Sequence, residues 1–185
     1  MKAKLILIMM LLTWAFYYSQ SLKAGFRIEP GIFLSEEKEQ TKIIPVFYCV
    51  SVDAIYSPLQ WIGIEIRPGY MMVSEDYGGF NFGIYARLQN IISKMFFVAG
   101  INKQSNFMNS AHNGGGSYTK DVVYKGIGIG YKSDSKLSFD IMYYWTNDKD
   151  YAYYNETDWL TYSRKINKRI NGIIKIGFNL NWDIL

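Results

Sequence analysis

Residues 174–185 read IKIGFNLNWDIL, and the two parities of this stretch differ in chemistry. Ile174, Ile176, Phe178, Leu180, Trp182 and Ile184 hold the even positions, while Lys175, Gly177, Asn179, Asn181 and Asp183 hold the odd ones. Successive side chains of a strand point to opposite faces, so this segment has one apolar face and one of glycine, amide and charge. A strand of a soluble protein turns its apolar parity inward. A strand of a membrane-spanning barrel does the reverse, with lipid outside and polar groups within. The two readings assign opposite solvents to the same residues.

The alternation recurs upstream. In 137–146, Leu137, Phe139, Ile141, Tyr143 and Trp145 oppose Ser138, Asp140, Met142, Tyr144 and Thr146. In 126–132, Ile127, Ile129 and Tyr131 oppose Gly126, Gly128, Gly130 and Lys132; in 80–88, Phe80, Phe82, Ile84, Ala86 and Leu88 oppose Asn81, Gly83, Tyr85 and Arg87. KMFFVAGINK, 94–103, is the weak case, apolar on both parities until Gly100 and Asn102. The polar parities carry charges that a hydrophobic sandwich core would not accept unpaired. The apolar parities are nearly free of charge, as lipid requires, where a mid-plane Lys or Arg costs ~2–4 kcal/mol.

These patterns predict eight strands, roughly 25–34, 43–57, 61–73, 79–89, 94–103, 122–132, 136–146 and 172–183. The links SPLQ, NIISK and SDS are short. SEEKEQTK, SEDYG, QSNFMNSAHNGGGSYTKD and NDKDYAYYNETDWLTYSRKINKRIN are read as the longer connections at the other end. The fold class expected is all-β, an eight-stranded antiparallel up-and-down transmembrane β-barrel. The soluble alternative is a lipocalin-like barrel with an apolar cavity and a charged exterior.

At 185 residues the chain suits one domain. Its start carries Lys2 and Lys4, an uncharged run from Leu5 to Tyr18, then small and polar residues, the order of a secretory signal. Residues 1–24 are read as that signal, with cleavage between 19 and 24, and 25–185 as the barrel. The first 24 residues hold three of the 20 basic residues and none of the 16 acids, so the remainder stands at 17 against 16 and offers no basic surface for nucleic acid. Cys49 is the single cysteine, which excludes an internal disulfide.

Taken together, the inward parity collects Arg27, Arg67, Arg87, Lys132 and Lys175 against Glu29, Asp53, Glu65, Asp140 and Asp183. An eight-stranded barrel is just wide enough for side chains to fill. Ten charges in that space must pair, which predicts a plugged lumen built on Arg27, Glu29, Asp53, Glu65, Arg67, Arg87, Asp140 and Lys175, with Lys132 and Asp183 at the mouth. A narrow ion path is the alternative. Two segments repeat faintly, RIEPGIFLSEE at 27–37 and EIRPGYMMVSED at 65–76, with the flanking charges exchanged. Their Pro30 and Pro68 predict bulges or bends.

Candidate catalytic chemistry is sparse. His112 is the one histidine, in the Gly/Ser/Asn stretch NSAHNGGGS, without a nucleophile motif or a metal-spaced cluster. No enzyme, cofactor or metal is expected. The alternative is a lipid-modifying enzyme of the barrel rim, with His112 as base and Ser105, Ser110 and Ser117 near it in sequence. Tyr151, Tyr153, Tyr154, Trp159 and Tyr162 crowd the last long connection. They are read either as a loop surface for an extracellular protein or glycan or as extensions of the flanking strands.

In layout the chain beyond residue 24 resembles the bacterial outer-membrane β-barrel superfamily, and is similar in size and plan to the small eight-stranded OmpA/OmpX-type barrels. The resemblance implies residence in the outer membrane, in contact with its lipid. It also implies a β-signal read by the barrel assembly machinery: a polar residue, a glycine two later, a hydrophobic three after that and an aromatic two further on. Lys175, Gly177, Leu180 and Trp182 fill those places, though the chain continues past the aromatic with Asp183, Ile184 and Leu185. Members differ in activity, so the resemblance implies a fold and an assembly route.

Overall fold

The structure, a computed structural model, describes residues 20–108, 114–157 and 163–184. Its strands are β1 (Ser21–Ile28), β2 (Gly31–Glu37), β3 (Gln40–Val46), β4 (Tyr48–Leu59), β5 (Ile62–Ser74), β6 (Tyr77–Ile92), β7 (Met95–Asn106), β8 (Gly116–Ser117), β9 (Lys120–Lys132), β10 (Leu137–Trp145), β11 (Asp150–Thr157) and β12 (Ser163–Asp183). They make eight staves. β1 and β2 form one, broken at Glu29 and Pro30; β3 and β4 form another, broken at Phe47; β10 and β11 form a third. β5, β6, β7, β9 and β12 are the other five, and β8 lies against β11.

Each stave pairs antiparallel with the next, and β12 pairs back with β1 and β2, which closes the ring, with β3 and β8 paired on one side only. The pairing through Ile28 runs by Val50, Tyr70, Phe80 and Ser105 to Asp121 of β9 in one direction. In the other it runs by Phe178 and Phe139 to Tyr131 of the same strand, a stagger of ten residues. Such stagger forces the strands to tilt about the barrel axis.

The strands run longer than the alternation predicted. SEEKEQTK is not a loop: β2 and β3 meet at the two-residue turn of Lys38 and Glu39, both at positive φ (49° and 63°) as a type I′ hairpin requires. SEDYG likewise closes on Glu75 and Asp76. Much of the expected last loop is β11 and the upper half of β12. Register shifts between Asp150 and Ala152 and between Ile170 and Gly172 change which parity faces inward, so a fixed period of two loses the strand there. Pro30 sits at a break, as expected. Pro68 does not interrupt its strand. It pairs with Phe82 inside β5, and its missing N–H falls in the gap of the β4–β5 ladder between Ser51↔Gly69 and Ala54↔Ile66.

The parity question resolves in favour of an apolar exterior. On β12, Ile176, Phe178, Leu180 and Trp182 are exposed while Lys175, Gly177, Asn179 and Asn181 are buried. Phe26, Ile28, Val50, Ile64, Ile66, Phe82, Ile84, Phe97, Ile129 and Ile141 continue this surface around the ring. The stretch 94–103, ambiguous in sequence, turns Phe96 and Val98 inward and Phe97 and Ile101 outward. Past the belt the outward columns become charged, with Lys103 after Ile101 on β7, Lys125 after Ile127 on β9, and Arg169 and Lys165 above Ile174 on β12. From Ile174 to Ile184 the apolar column of β12 matches the roughly 9–11 residues that a tilted strand needs to cross a bilayer core.

Candidate functional site

The most concentrated chemistry lies inside the barrel. Arg27 at the end of β1 and Glu29 in the break after it, like Glu65 and Arg67 within β5, stand two residues apart, and all four side chains are buried inside. Arg27 Nε donates to Glu29 Oε1 at 2.7 Å, and Arg67 Nε donates to Glu65 Oε1 at 2.7 Å. The faint repeat with exchanged charges thus yields the same local pair twice. Arg27 also grips Asp140 of β10 through Nη1 and Nη2, at 2.7 and 2.5 Å, the two-pronged geometry that suits guanidinium and carboxylate.

Arg67 joins the two pairs, lying 3.6 Å from Glu29 and 3.7 Å from Asp140. Arg87 Nη1 donates to Glu65 at 3.3 Å, and Lys175 lies 3.6 Å from Glu29 while donating to Cys49 Sγ at 3.2 Å. Asp53 accepts from Asn179 Nδ2 at 2.8 Å, and Asn181 donates to it at 3.1 Å with its amide nitrogen turned that way. The eight charged residues among these are all 3% exposed or less. With four cations and four anions the cluster is neutral, the condition under which buried charge is tolerated.

Small and aromatic residues shape this cluster. A Cβ on Gly177 would stand 1.9 Å from Arg27 Nη2 and 2.7 Å from Asp140 Oδ1, so the absent side chain makes the place where that pair meets. Gly126, Gly128 and Gly130 of β9 leave the room taken by Tyr144, Met142 and Phe96. The Arg67 guanidinium lies 4.3 Å from the Tyr85 ring centre and that of Arg87 lies 3.5 Å from the Phe96 ring centre, the stacking that arginine favours over lysine. Tyr85 and Tyr144 share a hydroxyl hydrogen bond at 3.1 Å.

A second layer fills the barrel toward the Lys38–Glu39 end. Phe33, Tyr77 and Tyr151 pack ring to ring with centroids 5.3–5.5 Å apart, among Val46, Met71, Val122 and Ile170. The Tyr77 and Tyr124 hydroxyls lie 2.6 Å apart, and that of Tyr151 meets Ser35 Oγ at 2.8 Å. The sequence reading of a polar interior missed this layer. Its signal was present in Tyr124, which shares its parity with Gly126 and Gly128, and in Met71, which shares its parity with Arg67 and Gly69.

The other predicted residues separate. Tyr151 is no part of a binding loop: it is buried in the aromatic layer because the register shift after Asp150 turns it inward. Tyr153 and Tyr154 are half-buried on β11, where Lys165 Nζ lies 3.9 Å from the Tyr153 ring centre. Trp159, Tyr162, His112 and Ser110 lie outside the described residues. Ser105 donates to Asp121, and Ser117 belongs to β8. Of the four β-signal positions, Lys175 and Gly177 face the interior and Leu180 and Trp182 face out. Lys132 is half-buried, and exposed Asp183 pairs with Lys23 at 2.7 Å.

No protein-family model and no curated protein matches the chain. Among solved structures it is similar to Neisserial surface protein A, at 12% identity over 87% of this chain and 96% of that one, with a TM-score of 0.44. It is also similar to the outer membrane protein OprG from Pseudomonas aeruginosa, at 12% identity over 88% and 95% with a TM-score of 0.46. Ail, the attachment invasion locus protein of Yersinia pestis, is similar at 13% identity over 88% and 97%, with a TM-score of 0.40. The barrel described above rests on its own closed ladder of strands.

Proposed function

We propose that the chain is a bacterial outer-membrane barrel that neither conducts nor catalyses, and that acts as an envelope-structural or surface-binding element through its outer end. The observation that carries this reading is the double filling of the interior. A neutral cluster of eight buried charges lies across one level and a packed aromatic layer across the next. Opening a path would have to separate ion pairs in a low-dielectric space and unpack rings at once. The apolar belt, far larger than the scattered apolar residues of a soluble surface, favours lipid as its solvent.

Binding is assigned to the end where β11 and the upper part of β12 rise past the belt, carrying Tyr153, Tyr154, Lys165 and Lys168. An extracellular protein or glycan is the partner class such aromatic and polar surface suits. The test combines membrane fractionation with planar-bilayer recording of the refolded protein. Outer-membrane recovery with conductance at background is expected. Steady single-channel steps would replace this reading with a channel, and recovery in the soluble fraction would remove the membrane altogether.

A further inference from the structure

At the end that holds Gln60, Asn90 and the 133–136 turn, the barrel opens into a polar cavity of about 260 Å³. Arg87, Lys132, Lys23 and Lys136 contribute to its walls, as do the neutral groups of Ser57, Gln89, Ser138 and Asn181. Two carboxylates, Asp134 and Asp183, also line it, and both are already engaged. Asp183 is paired with Lys23 at 2.7 Å. Asp134 Oδ1 accepts the backbone N–H groups of Lys136 and Leu137, each at 2.7 Å.

Two cations at this end are only partly engaged. Arg87 is 3% exposed, and its Nε has no hydrogen-bond partner among the described residues. Its one ion pair among the described residues, to Glu65 at 3.3 Å, is to a carboxylate that Arg67 holds more closely at 2.7 Å. Half-buried Lys132 makes no ion pair among the described residues and feels the like charges of Lys23 and Arg87 as well as the opposite charges of Asp183 and Asp134. A guanidinium and an ammonium on the wall of one cavity, beside hydroxyl and amide groups, are the elements of an anion site.

We propose that this mouth binds a compact oxyanion, a phosphate or carboxylate group, between Arg87 and Lys132. The anion would accept from Lys132 Nζ and the Arg87 guanidinium and offset their repulsion. Free ions of the surrounding compartment and the headgroups of the adjacent leaflet present the same chemistry.

The test is an amide NMR titration of the full barrel in maltoside micelles, which contain no phosphate, with inorganic phosphate added against chloride at constant ionic strength. Saturating shifts centred on 131–136 are expected with phosphate alone. Lys132→Gln should weaken binding roughly tenfold, the scale of one charged hydrogen bond, and Lys23→Gln should weaken it less. Lys125→Gln, on the outer face, should change nothing. A response equal for chloride, or unaltered in both Lys132→Gln and Lys23→Gln, overturns the site. Repeating the titration in phosphatidylglycerol discs distinguishes the sources: competition by the discs supports the site with a headgroup as occupant, and undiminished binding supports it with a soluble anion.

Discussion

Arg27 and Asp140 belong to strands on either side of β12, and Gly177 of β12 provides the gap in which they meet. A methyl group at this residue would part a buried pair, a steric reason for glycine that is independent of the place the β-signal resemblance expects it to fill. The sign of the energetics is asymmetric. Asp140→Ala leaves Arg27 buried beside Arg67 with too little counter-charge, and should lower unfolding stability by about 3–5 kcal/mol, measured by guanidinium titration of the refolded barrel. The double replacement Arg27→Met with Asp140→Leu should recover most of that loss, because apolar residues of similar volume tolerate the interior as well as a satisfied ion pair does. If the double variant is no more stable than the single one, the pair is organising neighbours such as Glu29 and Arg67 beyond simple neutralisation.

Turns at the two ends of the staves behave differently. Glu39 is exposed at φ 63°, a backbone region that costs a residue with a Cβ roughly 1–2 kcal/mol. Glu39→Gly should therefore raise the unfolding midpoint, with a gain of about 1 kcal/mol once the greater freedom of glycine in the unfolded chain is discounted. At the opposite end, the backbone amides of Leu137 and Lys136 hold the Asp134 carboxyl below the usual carboxylate range. Its folded value is the depressed one, so its support for the turn is present above the ordinary aspartate range and is lost as pH falls through the lowered value. Amide exchange at Lys136 and Leu137, compared at matched intrinsic rates, should accelerate over that acid window, and Asp134→Asn should flatten the change.

For the whole barrel, the two interior layers act in series. Arg67→Ala loosens the ionic layer and Tyr77→Ala opens the aromatic one, yet each alone should leave planar-bilayer conductance at background. Current is expected only when both are cut, provided that each variant still shows the folded, heat-sensitive gel mobility of the parent. A conductance change from Arg67→Ala alone would mean that the ionic cluster is the sole barrier, and the channel reading would gain accordingly. The second layer also explains why the barrel continues above the belt: its outer columns turn to Lys103, Lys125 and Arg169, while Phe33, Tyr77 and Ile170 fill the inside, so this part is built as a soluble barrel would be.

What the chain determines by itself is the pattern that needs only a period of two. The chemistry of the two faces of β6, β9, β10 and lower β12 and the identity of the eight charges that share the polar face follow from residues two apart along a strand, whereas which face turns outward is read from the closed ring. Tertiary structure decided the rest, for reasons that no local period contains. Tyr151 turns inward because of a register shift against β12, and Phe47 and Tyr48 both face outward because the stave breaks between β3 and β4. Phe96 and Val98 could have faced either way until the neighbouring strands assigned their column. Which arginine grips which acid depends on the ten-residue stagger of the closed ring, which brings Asp140 to Arg27 across 113 residues of chain. Alternation sets the chemistry of each side of a strand, and closure sets which side turns outward and who meets whom inside.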